Sequence, residues 1–303
     1  MIAALIIAAG KTPYKDSFEP LKEVGTIPVI ERLARVFQLA GIERIVVVYD
    51  GAAIKTENLA AHMNMEYLPG PPEAEMLDNV KVGLAYLEDK CSAVIITHVG
   101  AALFQVDTVS ALMSTEGQVC IPLIGGRAGH PLRLSSSHFK EIISYSGEGG
   151  LSEAVKACGL RRIFVEVSDE GILVDVCNGK EYGHLLSGHS LKETHLDIKI
   201  SLAREKPFYG SGAHQLLRLI VETGSLLAAC RKMGISYTKG RSIISDMEIQ
   251  LECPVIKSRH GGKRNEGFSV LTEKGEELMK KYADFCSKAK KNLHELFQET
   301  FNQ

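Results

Sequence analysis

The chain is poor in most of the features that mark a function class. No apolar run is longer than the one through Ile2–Ala9, far short of the ~20 residues a bilayer-spanning helix needs. No basic leader precedes that run and no small-residue cleavage site follows it closely, so it reads as a strand and not as a signal peptide. There is no C-x-x-C pair. The seven cysteines, Cys91, Cys120, Cys158, Cys177, Cys230, Cys253 and Cys286, are odd in number and scattered. That argues against a disulfide framework or a zinc module and fits reduced thiols in a cytoplasmic protein. Internal repeats and low-complexity tracts are missing too, and the net charge is only -2.

What is present is the balance of a globular protein. With 303 residues, 45% hydrophobic and 24% charged, the chain has enough material for one large or two ordinary domains. The small net charge hides an asymmetry. Residues 1–200 carry 18 Lys+Arg against 25 Asp+Glu, and residues 201–303 carry 17 against 12. An acidic first part joined to a basic last third suggests a nucleic-acid module on a different scaffold.

The first part alternates short apolar runs with helical patterns. Ile2–Ala8, Ile45–Tyr49, Ala93–Thr97 and Val119–Ile124 read as strands buried on both faces. Between them, Pro28 opens a helix with apolar positions Val29, Ile30, Leu33, Val36, Phe37 and Ala40, stopped at Gly41. Further helices are expected around 75–89 and 106–114. The pattern predicts an α/β domain with a doubly wound, mostly parallel sheet, over 1–195. Ligands of such sheets sit beyond the carboxyl ends of the strands, which makes the loop after Ala8 the natural site.

From 196 to 303 the pattern predicts a separate α+β domain. A helix near 214–222 ends at Gly224, and Ser225 caps a short helix to Met233. Gly234-Ile235 turns the chain, and Ser236 caps a helix to about Leu251. In that helix Gly240, Ile243, Ile244, Met247 and Leu251 form the inner face, and Thr238, Arg241, Ser242 and Ser245 the opposite one. The outer face is short, polar and cationic, which suits a major groove. Two short strands follow around the Gly-rich basic tip Lys257–Asn265, whose charges suit phosphates. Helix-turn-helix, wing and positive charge together predict double-stranded DNA as a partner. The last helix, from Glu273, presents Leu278, Tyr282, Phe285, Ala289, Leu293 and Leu296 at spacings of three and four, and is expected to pair with a second copy.

Two families share these motifs. Thr223-Gly224-Ser225, Gly234-Ile235-Ser236-Tyr237, Arg259-His260-Gly261-Gly262-Lys263 and Leu271-Thr272-Glu273-Lys274-Gly275 stand in order. Over about 196–300 they resemble the winged helix-turn-helix of the molybdate-responsive ModE transcription regulators. The resemblance implies a homodimer on a palindromic operator, read by the helix from Tyr237. The expected DNA-binding residues are Ser225, Ser236, Tyr237, Thr238, Lys239, Arg241, Ser242, Ser245, Arg259, His260, Lys263 and Arg264.

Over about 1–183 the chain resembles the MobA/MocA-type nucleotidyltransferases of molybdenum-cofactor maturation. The matching residues are Ile6-Ile7-Ala8-Ala9-Gly10, Gly25 with Pro28, Asn79 to Gly83-Leu84, Gly126-Arg127-Ala128-Gly129-His130-Pro131 and Gly171-Ile172-Leu173-Val174-Asp175. The family's chemistry implies a basic Gly-rich loop for the triphosphate and carboxylates at two strand ends for Mg²⁺. Here Lys11-Thr12-Pro13-Tyr14-Lys15 replaces the expected Ser/Thr-x-Arg-Met-Gly run, and Glu19 takes the place of a lysine. His98-Val99-Gly100-Ala101 replaces an Asp-x-Pro, and Asp175-Val176-Cys177 replaces an Asp-x-Asp. Lys11, Lys15 or Lys22 could stand in for the lost cations. His98 is either a recruited ligand or base, or a structural histidine.

The reading is a cytoplasmic DNA-binding regulator linked to molybdenum-cofactor metabolism, with an inactive transferase-like domain as sensor. Its effector would be a nucleotide or a molybdopterin-type compound, met by Ala8, Ala9, Gly10, Lys11 and His130. No catalytic residue, metal ligand or required cofactor is assigned. The alternative is an active Mg²⁺-dependent molybdopterin nucleotidyltransferase using GTP or CTP.

Overall fold

A computed structural model describes residues 1–9, 21–49, 65–71, 74–177, 182–259 and 268–301, with backbone alone at Ser258, Arg259 and Gln298. These residues form two compact units, one within 1–193 and one from Thr194 onward. Among the described residues no helix is long and apolar enough to cross a membrane.

The first unit is built on β1 (Ile2–Ala8), the hairpin β2 (Glu23–Val24) and β3 (Ile27–Pro28), α1 (Val29–Leu39), β4 (Arg44–Tyr49), β5 (Met65–Pro69) and α2 (Met76–Leu87). It continues through β6 (Ala93–His98), α3 (Val106–Ser114), β7 (Val119–Ile124), β8 (Arg127–Ala128), β9 (Leu132–Ser135), α4 (Phe139–Ser144), α5 (Leu151–Ala157), β10 (Arg162–Glu166) and α6 (Gly183–Ser187). The main sheet runs β10-β7-β9-β6-β1-β4-β5. β1 pairs in parallel with both β4 and β6, and β4–β5 and β7–β10 are parallel. β9 alone on this path runs antiparallel, between β6 and β7. The sheet is therefore mostly parallel, as the apolar runs required.

Burial on both faces explains why β1 has no polar residue. Ala3, Leu5 and Ile7 face the cluster that includes Val80, Leu84 and Leu87 of α2, with Phe139 and Ile142 of α4. Gly83 lets α2 lie flush on β1, because a Cβ there would stand 2.4 Å from Leu5 Cδ1. Leu33, Val36 and Phe37 of α1 are fully buried, and Phe37 meets Phe104 at 5.6 Å between ring centroids. Each fully buried aliphatic or aromatic side chain of this kind contributes about 1.5–3 kcal/mol.

The second unit contains β11 (Ser201–Ala203), β12 (Pro207–Gly210), α7 (Ser211–Thr223), α8 (Leu226–Lys232), α9 (Tyr237–Leu251), β13 (Ile256–Arg259), β14 (Phe268–Leu271) and α10 (Glu273–Phe301). Within 196–203 only Ser201–Ala203 form a strand, paired antiparallel with β12. Its core gathers Leu216, Leu217, Leu219 and Ile220 of α7, Leu226, Ala229 and Cys230 of α8, and Ile244 and Met247 of α9. α10 is anchored at its start. Thr272 donates to Pro254 O at 2.8 Å and accepts the Gly275 amide at 3.1 Å, and Tyr282, 5% exposed, donates to Ile200 O at 2.8 Å. Its 29 residues extend about 43 Å. Along the later turns Phe285, Leu293, Leu296 and Phe301 are exposed.

Candidate functional site

In the first unit the strand ends and the loops beyond them enclose a cavity of about 310 Å³, lined chiefly by His98, Arg127, Gly129, His130 and the segment Ile172–Asp175. Its walls follow from local sequence. β7 and β8 are joined by Gly125-Gly126, both at positive φ (+54° and +77°), as a two-residue hairpin turn demands. This turn presents Arg127 at the rim. The Gly129 amide then donates to Pro122 O at 3.0 Å and the His130 amide to Ile172 O at 2.9 Å. A Cβ on Gly129 would stand 2.3 Å from Ile172 O, so only glycine lets the two walls close.

The chemistry sits at the floor. His98 ends β6, and its Nδ1 accepts the Gly100 amide at 3.2 Å, which leaves the proton on Nε2 in the neutral ring. The His98 and His130 rings meet edge to face at 4.8 Å. Asp175 approaches from the opposite wall, with its Oδ1 accepting the Cys177 amide at 2.8 Å. A Cβ on Gly100 would touch both Asp175 Oδ1 and His98 Cε1. Lys22 reaches the same turn, 3.5 Å from Val176 O.

Burial holds both imidazoles neutral. His130 is pushed down to about 4 by burial and the neighbouring His98, against the opposing pull of Asp175, and its Nδ1 is buried without a partner among the described residues. His98 is lowered by burial, again opposed by Asp175. Burial and Asp175 raise the Cys177 thiol to about 11, so it is no nucleophile near neutrality. Away from the cavity, His189 is fully buried and lowered to about 4 by burial and Arg32.

Both His130 and His189 therefore bind protons more readily in the unfolded chain. Their contribution to stability is full above pH 6.5 and is lost as the pH falls toward 4. For His189 it amounts to at most about 3 kcal/mol. Urea midpoints measured between pH 7.5 and 4.5 should decline, and the decline should flatten in a His130→Gln/His189→Asn chain.

The described lining of the cavity does not fit Mg²⁺. That ion prefers several hard oxygens in octahedral geometry. Here a neutral imidazole stands at the end of β6, and among the described residues Asp175 is the one carboxylate in the lining. Among the described residues no three His, Cys, Asp or Glu are grouped to hold a metal. What the lining offers is a neutral imidazole pair, one carboxylate and one guanidinium, a set suited to a small polar ligand of mixed donors and acceptors.

His130 lines the cavity. Ala8 and Ala9 are 4% and 2% exposed and line no part of it, so they contribute backbone alone at the strand end. Gly10 and Lys11 lie outside the described residues. The effector residues read from sequence omitted Arg127 and Asp175, and left His98 open between a ligand or base and a structural histidine. The signal for them lay in the Gly-Gly-Arg-Ala-Gly-His-Pro and Gly171–Asp175 motifs, but nothing local says that these two segments meet.

In the second unit, α8 and α9 are joined through Gly234 at φ +64°. Ser236 caps α9 by accepting the Lys239 amide at 3.1 Å. Tyr237, Thr238, Lys239, Arg241, Ser242 and Ser245 are all exposed, while Gly240, Ile244 and Met247 are buried. Tyr237 is 50% exposed at the first turn. Ser225 is a correction: it is 6% exposed, its hydroxyl accepts the Ala228 amide at 3.4 Å, and its own amide is donated to Thr223. It is a helix cap whose side chain has little surface left for a contact. After α9, β13 and β14 form an antiparallel ribbon. Arg259 ends β13, while His260, Lys263 and Arg264 lie outside the described residues.

Comparison with known proteins agrees with the first unit's architecture. A nucleotidyl transferase from Methanothermobacter thermautotroptrophicus superimposes with a TM-score of 0.54 at 18% identity, covering 62% of this chain and 99% of that one. Rv0371c from Mycobacterium tuberculosis H37Rv gives 0.50 at 18% identity, over 61% of this chain and 97% of its own. At such identities the likeness is one of fold. The molybdenum-pterin-binding protein MopB of Rhodobacter capsulatus is 36% identical over 83 residues, 27% of this chain. The match spans about a third of that relative's length, 30%. Residues 4–163, more than half of the chain, match the MobA-like NTP transferase domain. By that match the chain belongs to the MobA-like NTP transferase family.

Proposed function

We propose that this protein is a DNA-binding transcription regulator linked to molybdenum-cofactor metabolism. In this reading the second domain is a winged helix-turn-helix that binds a palindromic operator as a homodimer in the cytoplasm. The observation that carries the reading is the face of α9. A capped helix follows a glycine turn, buries Gly240, Ile244 and Met247, and presents Thr238, Arg241, Ser242 and Ser245 outward. Such a helix inserts into a major groove, where arginine reads guanine and short hydroxyls read either base. The ribbon β13–β14 supports it as a wing whose basic tip neutralises phosphates. The exposed apolar face of α10 supports pairing with a second copy. The likeness to a molybdenum-pterin-binding protein supports the metabolic link.

The first domain acts in this reading as a sensor. Its cavity holds a nucleotide or molybdopterin-type effector, and regulation requires that this ligand bind the DNA-competent and incompetent arrangements unequally. Arg241→Ala should cost about 1–3 kcal/mol at one operator position and relax specificity there. Lys263→Ala with Arg264→Ala should weaken binding to all sequences alike and lower the salt slope by about one per lost phosphate contact. If fluorescence anisotropy with operator DNA shows neither change, the groove assignment is wrong.

The second reading, a Mg²⁺-dependent molybdopterin nucleotidyltransferase using GTP or CTP, is favoured by the family to which residues 4–163 belong. The single carboxylate among the described lining residues opposes it, because phosphoryl-type transfer rests on positioning and charge neutralisation. Sustained pyrophosphate release with a pterin acceptor would reverse the ranking.

A further inference from the structure

The main sheet ends on β10, whose far edge has no partner strand among the described residues. We infer that this edge is a homotypic interface, at which two copies of the chain join antiparallel with Phe164 opposite Phe164.

The backbone is set for it. In the parallel ladder the Val119 amide donates to Arg161 O at 3.3 Å and the Val167 amide to Leu123 O at 2.9 Å. The amide and carbonyl of a strand residue share one side, and sides alternate along the strand. Arg161, Ile163, Val165 and Val167 are thereby committed to β7. Arg162, Phe164 and Glu166 turn both backbone groups outward, unpaired among the described residues.

The side chains agree. Arg162, Phe164 and Glu166 share one face and are all exposed, Phe164 by 48%. The Arg162 guanidinium lies 6.0 Å from the Phe164 ring centroid. Proteins protect apolar edges with prolines, bulges or cover, and Arg162–Glu166 contains no proline and keeps an unbroken register with β7.

Charge fixes both occupant and register. The strand reads basic, Ile, Phe, Val, acidic, so its reversed copy is its electrostatic complement. A two-fold axis through the Phe164 pair sets Arg162 opposite Glu166 of the second copy, twice. Each outward residue then exchanges its two hydrogen bonds with the residue facing it. A slip by two loses both ion pairs, and a slip by one would set residues of opposite faces against each other. This interface lies in the first domain and does not depend on pairing through α10.

Sedimentation equilibrium of the full chain tests it, with Leu293→Glu and Leu296→Glu introduced to remove the exposed face of α10. That chain should still form a reversible dimer. Adding either Arg162→Glu or Glu166→Arg sets like charges against each other twice and should weaken the dimer about tenfold or more. Mixing the two charge variants in equal amounts should restore association, because their strands are again complementary. A misfolded variant could not be rescued in this way. The inference is overturned if the α10 substitutions alone abolish association, if the charge variants associate as strongly as their parent, or if the mixture does not recover.

Discussion

Asp169→Ala is expected to destabilise the first domain by about 3–4 kcal/mol. The side chain is 6% exposed and works as a three-way clamp. Its Oδ2 accepts the Gln105 amide at 2.7 Å and the Thr108 hydroxyl at 2.6 Å, and its Oδ1 accepts the Gly171 amide at 2.9 Å. Gln105 precedes the first turn of α3, so the carboxylate also faces the positive end of that helix. Alanine would leave three donors unsatisfied in a buried place, each costing about 1–3 kcal/mol, partly offset because no carboxylate need be desolvated. The clamp matters to the cavity as well. It fixes Gly171, where a Cβ would stand 1.9 Å from Leu103 O, and Gly171 leads directly into the Ile172–Asp175 wall. Urea unfolding should show a lower midpoint at unchanged slope, and Asp169→Asn, which keeps one acceptor, should lose less. A loss below about 1 kcal/mol would mean that the freed donors find other partners.

Gly240→Ala should destabilise the second domain even though alanine is the better helix former by about 1 kcal/mol. Gly240 lies on the buried face of α9, and a Cβ there would stand 2.2 Å from Cys230 Sγ of α8. The sulfur is on a short side chain, buried at 1% exposure, with little room to move. Overpacking of this kind costs about 1–3 kcal/mol and commonly shifts backbone, so the clash should outweigh the propensity gain. Separating α8 from α9 would also tilt the exposed stripe of α9, and under the proposed function operator binding should fall more than stability alone predicts. Cys230→Ala in the same chain removes the opposing atom and should recover most of the loss. A double-mutant cycle without coupling between the two positions would refute this packing argument.

The first unit was legible where its physics is local. β1 and α3 fall where the apolar runs and periodicity put them, because a strand buried on both faces has no polar residue to blur its limits. Met65–Pro69, Leu132–Ser135 and Arg162–Glu166 were not legible as strands. β9 and β10 are partly exposed, with patterns that mix charge and apolar residues. Such segments become strands only because a neighbouring edge supplies the other half of their hydrogen bonds. In the second unit both helix caps were read correctly, since a serine before an apolar run acts within three residues. Ser225 was nonetheless misassigned to DNA, because a cap and a groove contact use the same residue type and differ only in burial.

Taken alone, the sequence determined the α/β pattern of the first domain, the mostly parallel sheet and the order of caps, turn and helix in the second. All of these follow from period, propensity and capping, interactions reaching only a few residues along the chain. Tertiary structure alone decided that His98, His130, Arg127 and Asp175 share one cavity, that the imidazoles there are held neutral, and that β10 ends the sheet with three residues turned outward. Those facts depend on segments up to 77 residues apart, as His98 and Asp175 are, brought together by crossovers whose partners no local pattern names. Burial and electrostatic environment are properties of that assembly, and a residue's identity does not carry them.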